Sequence, residues 1–126
     1  CVAMTLAPAH WRPATALGPE LLPPVTPYFV MKVGHVPVAH YNRPGSPLAA
    51  DEVATLIRQY AARGTPIRAV MLPRLGPNVW HNCTEAAMAT LEEIEETARL
   101  MLLSPAATPL RANEIDELRA TFGARW

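Results

Sequence analysis

This chain of 126 residues has few of the features that mark a disulfide-rich, membrane or nucleic-acid-binding protein. Cys1 and Cys83 are too few for a disulfide framework, and we expect both thiols to be reduced. Eleven basic residues balance eleven acidic ones, and the sequence has no long run of basic residues that could bind the phosphate backbone of a nucleic acid. No apolar run approaches the roughly 20 residues that a membrane-spanning helix needs. We therefore expect no nucleic-acid or membrane partner, and a cytoplasmic location.

The composition and length predict one globular unit. Half of the residues are hydrophobic and 17% are charged, which is typical of a folded domain. The length allows a single core but not two ordinary domains. Residues 7–27 are rich in proline, and proline lacks the amide donor that a continuous helix requires. This segment is therefore predicted to be extended and turning.

Strands are predicted in two regions. Residues 28–33 are rich in β-branched and aromatic side chains and end at Gly34, so we predict a strand that pairs with a second short strand over residues 36–41. Residues 67–72 are continuously apolar apart from Arg68, which is typical of a strand buried on both faces, and residues 78–80 form its short successor.

Three helices are predicted. Ser46 and Pro47 form a favourable helix start, and Gly64 ends that helix. Its apolar positions recur at helical spacing, at Val53, Leu56, Ile57 and Tyr60. Asn82 and Glu85 stand in capping-box positions before a helix over residues 84–103. Its inward stripe is Ala87, Leu91, Ile94, Ala98 and Met101. The last helix packs through Ile115, Leu118 and Phe122. Strands and helices in this order predict a two-layer or three-layer α/β arrangement whose sheet is incomplete within the chain.

Titratable groups that could carry chemistry are few. A zinc site needs three or four converging ligands and usually contains a close pair. His35 and His40 are five residues apart with Pro37 between them, so we interpret them, together with His10 and His81, as ordinary surface or core histidines. The carboxylates opposite the apolar stripe of the 84–103 helix are interpreted as a solvated face, in which Glu95 can pair with Arg99; they are Glu92, Glu93, Glu95 and Glu96.

Tyr28 and the methionines have competing interpretations. Tyr28 follows Pro27 at an element entrance, where its phenol either points into a cleft as a proton donor or packs. The methionines at positions 31, 71, 88 and 101 fall on predicted core positions, where packing is a better explanation than a soft-metal site.

Several short motifs together carry a resemblance over nearly the whole chain from Leu22 onward. They are Pro24-x-x-Pro27-Tyr28-Phe-Val-Met-Lys-Val-Gly34, Val36-Pro-Val, Tyr41-x-Arg43-Pro-Gly45, Ala69-Val-Met-Leu, Gly76-Pro77-x-Val79 and Leu91-Glu-Glu-x-Glu-Glu-Thr-Ala98. In this combination the chain resembles the class II aldolase/adducin family, and within it most closely the 3-oxo-tetronate 4-phosphate decarboxylases. The closing Ile115-Asp-Glu-Leu-Arg and Phe122-Gly-Ala-Arg-Trp126 fit that subgroup as well.

The resemblance implies an αβα layered domain of which residues 1–126 form the C-terminal portion, with the N-terminal part missing. It implies a carbon–carbon lyase, a decarboxylase or aldolase, that acts on a phosphorylated sugar acid. The family holds a divalent metal, usually zinc, through three histidines. Two of these would precede Cys1, as would the acid–base carboxylate and the phosphate-binding loop.

The resemblance also implies roles for three residues of this chain. The third-histidine position is held by Leu75, which has no lone pair to offer, and His81, six residues further on, is a weak substitute. We therefore expect this chain alone to bind no metal and to be inactive. Tyr28 matches the family tyrosine that reaches a neighbouring subunit's site as a proton donor, which implies a homotetramer.

Two alternatives stay open. Leu75 favours a non-catalytic module of the same fold, kept for assembly as in adducin. The incomplete sheet favours a truncated chain whose open edges pair with another chain.

Overall fold

The computed structural model describes residues 1–6 and 17–126 and shows helices packed around a short mixed β ladder. Its elements are α1 (Ala3–Leu6), a π-helix (Phe29–Val33), α2 (Pro47–Ala62), β1 (Ala69–Leu72), β2 (Gly76–Val79), α3 (Thr84–Leu103) and α4 (Ala112–Phe122). Part of the predicted proline-rich segment lies outside the described residues, including His10 and Trp11.

The β ladder is built around β1. Strands β1 and β2 form an antiparallel hairpin, with Ala69 opposite Val79 and Leu72 opposite Gly76. On the other side of β1, the Met71 amide donates to the Pro37 carbonyl at 2.9 Å, and the Met71 carbonyl accepts the amide of Ala39 at 3.0 Å. Both predicted strands of the hairpin are confirmed with shifted ends. The predicted strand over residues 36–41 is reduced to bridges at Pro37 and Val38.

The segment after Tyr28 is a π-helix, so the predicted strand over residues 28–33 and its hairpin with residues 36–41 are wrong. The Thr26 hydroxyl accepts the Phe29 amide at 3.0 Å, and the Gly34 amide donates back to the Phe29 carbonyl at 3.0 Å. Phe29, Val30 and Val33 are all buried, and this spacing puts them on one face of a helix. Tertiary burial has overridden the local β propensity.

Helix α2 confirms the prediction that it starts at Ser46-Pro47, although the Ser46 side chain makes no capping hydrogen bond. Gly64 follows the helix with φ +77°, a left-handed conformation that favours glycine. Tyr60 is buried, and it packs with Ile67 and Val70 in a small core. Ile57, predicted to face inward, is 37% exposed.

Helix α3 spans the predicted residues and buries Ile94 and Ala98 in the main core, together with Phe29 and Met71. Its N-cap is Cys83 rather than Asn82, and no side chain caps it. Met88 is 51% exposed, so the prediction that it packs in the core is wrong.

Glu95 is not part of a solvated face. Its carboxylate accepts the amides of Val2 at 2.6 Å and Ala3 at 3.2 Å, at the start of α1. The predicted pair of Glu95 with Arg99 is replaced by a pair of Glu96 with Arg99 at 3.7 Å. A helix start has free amides, and a carboxylate of α3 satisfies them here.

Helix α4 buries Ile115, as predicted, whereas Phe122 is 65% exposed. The Arg111 amide donates to the Glu114 carboxylate at 2.7 Å as part of a capping box. Gly123 ends the helix in the left-handed conformation, and the chain then turns back so that Trp126 enters the main core. This tail brings the end of the chain against the π-helix.

Candidate functional site

Tyr28 stands at the N-terminus of the π-helix, with its side chain 60% exposed. The buried neighbours Phe29 and Val30 fix the backbone that carries it. The Lys32 ammonium lies 5.0 Å from the centre of the Tyr28 ring, within cation–π range. A rigid short helix with an exposed phenol beside a cation is suited to presenting that phenol to an anionic ligand.

Leu75 and His81 lie at opposite ends of the β1–β2 hairpin. Leu75 is in the connecting turn and 48% exposed, beside Arg74, whose φ of 65° is left-handed. His81 follows the far end of β2 and is exposed. Six residues of extended chain span roughly 20 Å. His81 therefore does not reach the position that the Leu75 side chain occupies.

Each histidine within residues 1–6 and 17–126 contacts a different partner. His40 Nδ1 lies 2.7 Å from a Glu52 oxygen at the surface, and His35 Nδ1 lies 2.9 Å from Glu20. The Asn82 amide donates to His81 Nδ1 at 2.8 Å. In this part of the chain, no three His, Cys, Asp or Glu side chains converge to hold a metal ion. The residues described therefore do not fit the metal that the resemblance implies.

The structure contains a buried carboxylate network that the sequence did not lead us to predict. Glu20 is fully buried, and both of its oxygens lie 2.9 Å from His35 Nδ1. The Tyr60 hydroxyl donates to Glu20 Oε1 at 2.8 Å. The His35 ring stacks on Trp126 with 4.1 Å between ring centres. A single acidic residue next to Leu21 and Leu22 was the available signal, because a carboxylate in an apolar segment needs a buried partner.

Because Tyr60 is part of this buried network, its titration should make the stability of the protein depend on pH. Burial raises the pKa of the Tyr60 phenol well above its ordinary value, and the adjacent Glu20 carboxylate raises that pKa further. The unfolded chain releases this proton near pH 10 while the folded chain retains it. The contribution of the protonated Tyr60 to the free energy of unfolding is therefore complete below pH 10. Above pH 10 it decreases by about 1.4 kcal/mol per pH unit.

Urea unfolding of the wild type and of Tyr60→Phe between pH 8 and pH 11.5 measures this effect. The difference in stability between the two proteins should be constant up to about pH 10 and should then shrink. Groups that both proteins share cancel in the comparison. A constant difference up to pH 11.5 would contradict the predicted shift.

A cavity of about 580 Å³ lies between the π-helix, the base of the β hairpin and the tail after α4. At the base of the hairpin, the Trp80 amide donates to the Arg68 carbonyl at 3.0 Å. Gly34 has φ +81°, and a Cβ there would lie 3.5 Å from the Arg125 carbonyl oxygen. The tail thus lies beside the end of the π-helix at ordinary contact distance, and Arg125 lines the cavity.

The comparisons with known proteins agree with this architecture. The sequence profile described as Class II Aldolase and Adducin N-terminal domain matches residues 1–102. The chain belongs to the class II aldolase/adducin family.

Individual relatives within this family show the similarity in more detail. The chain is 44% identical over 131 residues to the 3-oxo-tetronate 4-phosphate decarboxylase of Cupriavidus necator, covering 99% of the chain and 54% of that protein. It is 36% identical over 104 residues to the protein of the same name in Escherichia coli K12, covering 80% of the chain and 45% of that protein. The chain thus spans about half the length of the curated relatives that it matches.

The crystal structure of YgbL from Escherichia coli superposes with a TM-score of 0.74 at 30% identity, over 94% of the chain and 53% of YgbL. That of YgbL from Klebsiella pneumoniae gives 0.68 at 33% identity, with the same coverage. The class II aldolase-like fold predicted from the motifs is confirmed. Among the described residues, no helix is both long and apolar enough to span a membrane.

Proposed function

We propose that residues 1–126 are the C-terminal portion of a single class II aldolase/adducin-like domain, and that the protein containing them is a carbon–carbon lyase. Its substrate is a phosphorylated sugar acid, and its reaction is a decarboxylation of the 3-oxo-tetronate 4-phosphate type. The observation that carries this proposal is the 44% identity to a decarboxylase of that name over 99% of the chain. An aldol cleavage of a sugar phosphate is the neighbouring possibility within the same family.

The role of Tyr28 in this reaction is proton donation. When a 3-oxo acid loses carbon dioxide, the carbon–carbon bonding electrons remain as an enolate, whose carbon must then accept a proton. A phenol held within hydrogen-bond reach of that carbon can supply the proton. The exposed position of Tyr28 on the π-helix suits donation into a site at the contact with a neighbouring subunit, as in a homotetramer.

The complete protein is proposed to use zinc or another divalent metal. When bound, such an ion stabilises negative charge on the substrate oxygen. The residues described here offer it no ligand set. We therefore assign this chain only the proton-donating role.

Leu75 supports a second candidate function. It stands at the tip of the hairpin turn, 48% exposed, and offers no nitrogen or oxygen side-chain donor. If the complete protein lacks a third metal ligand, the fold would serve as a non-catalytic assembly module, as in adducin. Metal analysis of the full-length protein separates the two functions, because stoichiometric zinc or manganese is expected only for the lyase.

We predict that Tyr28→Phe in the full-length protein lowers kcat for release of carbon dioxide by about 100-fold or more, with a much smaller change in KM. The substitution removes only the proton donor and keeps the ring. Turnover of 3-oxo-tetronate 4-phosphate, with zinc or manganese supplied, measures the effect. Tyr41→Phe is the matched control, because Tyr41 is 59% exposed and Tyr28 is 60% exposed. Equal rates in the two variants would reject Tyr28 as the donor, and an inactive wild type would favour the assembly module.

A further inference from the structure

The cavity beside the π-helix has an uneven charge. Its polar wall contains Arg68, Arg125, His81 and Asn82, and its lining residues include no Asp or Glu. The chain as a whole has eleven basic and eleven acidic residues, so this is a local concentration of positive charge. A concave site whose walls carry one sign of charge attracts ligands of the opposite sign.

The two arginines of the cavity differ from three arginines elsewhere on the surface. Arg99, Arg111 and Arg119 each pair with a carboxylate three residues away. Arg68 instead donates from Nη1 to the Lys32 carbonyl at 2.9 Å, which holds its guanidinium in place. Neither Arg68 nor Arg125 forms an ion pair within residues 1–6 and 17–126. This hydrogen bond uses one N–H group, so most of the five N–H groups of the Arg68 guanidinium are left to bind a ligand.

His81 adds a neutral donor to the same wall. Its Nδ1 accepts the Asn82 amide at 2.8 Å, so the neutral ring carries its proton on Nε2. The ring is exposed and lines the cavity. This tautomer offers an N–H donor on Nε2 without requiring a charge on the ring.

The remaining walls are apolar. Trp80, Val30 and Phe122 are among the apolar residues that line the cavity. Phe122 is 65% exposed, and core packing does not account for its position. A volume of about 580 Å³ is in the range of cavities that hold small organic ligands.

We propose that this cavity is a binding site for a small phosphorylated organic anion. Arg68 and Arg125 bind the phosphate oxygens, His81 and Asn82 donate further hydrogen bonds, and Trp80 and Phe122 contact the carbon skeleton. Guanidinium groups suit this role because their planar N–H groups bind phosphate oxygens in pairs. The proposal goes beyond the lyase reaction, and it holds or fails independently of that activity, because binding is measured without turnover.

Titrations with inorganic phosphate and with glycerol 3-phosphate, at constant ionic strength, test the site. The NMR signal of the Trp80 indole N–H, or calorimetry, reports binding. We expect saturable binding of both anions, with glycerol 3-phosphate the tighter, and no binding of glycerol. Saturation by neither anion would overturn the proposal. Equal affinities for the two anions would overturn the assigned contact with the carbon skeleton.

Matched charge variants separate a built site from diffuse attraction. Arg68→Gln with Arg125→Gln should weaken binding by about tenfold to a hundredfold. Arg58→Gln with Arg99→Gln removes the same charge from exposed positions that do not line the cavity and should leave the affinity within about twofold. Arg125→Gln alone controls for a folding defect. The Arg125 side chain makes no hydrogen bond to the described residues, so its replacement should not disturb the fold. Equal weakening by both pairs, or no effect of Arg125→Gln, would overturn the proposal.

Discussion

Glu20→Ala is expected to lower the free energy of unfolding by about 3–5 kcal/mol, because it removes one member of a buried, hydrogen-bonded network. The Glu20 carboxylate is fully buried, and it accepts hydrogen bonds from His35 and from the Tyr60 hydroxyl. Without it, the buried Tyr60 hydroxyl has lost its partner and retains the cost of its desolvation. Urea unfolding at pH 7 measures the change.

Glu52→Ala provides a matched control for this prediction. Glu52 makes the same type of contact, a carboxylate oxygen 2.7 Å from His40 Nδ1, but the His40 side chain is 95% exposed. Water replaces such a contact at little cost, so we expect a change within about 1 kcal/mol. If the two variants were equally stable, the Glu20 network would contribute no more than a surface pair.

Trp126→Ala is expected to lower the free energy of unfolding by about 3–5 kcal/mol, because it removes a buried aromatic ring. The residue is only 9% exposed, stacks on His35 and contacts Phe29 edge-on with 5.9 Å between ring centres. Alanine would leave a cavity beside both rings. Urea unfolding at pH 7 measures the change.

Leu103→Ala is the control for the aromatic tail, because Leu103 is 76% exposed at the end of α3. We expect a change within about 0.5 kcal/mol. The Arg119 guanidinium bonds the Trp126 backbone carbonyl, and that contact survives in Trp126→Ala. The measured difference therefore reports the indole ring. A loss no larger than that of Leu103→Ala would show that the tail is not anchored in the core.

The elements that were predicted well are those in which local pattern and tertiary packing agree. In α3, the inward stripe of the sequence is the face that buries Ile94 and Ala98. The start of α2 at Ser46-Pro47 and the two strands of the hairpin also follow from local chemistry, since proline, glycine and apolar runs restrict the backbone directly.

The segment after Tyr28 was predicted wrongly because its side chains suit a strand and a helix almost equally. Phe29, Val30 and Val33 have high β propensity, but as a helix they face one core together. The core that selects this conformation is formed by α3 and the tail, which are distant in sequence. No local pattern contains that information.

From the sequence alone, the positions of the principal helices, the hairpin and the family could be determined, because these depend on backbone restriction and on motifs of adjacent residues. The roles proposed for Tyr28, Leu75 and His81 stay predictions. Only the tertiary structure decided that Glu20, His35, Tyr60 and Trp126 meet in one buried network, and that Arg68, His81 and Arg125 line one cavity. These side chains come from separated segments, and long-range packing brings them together.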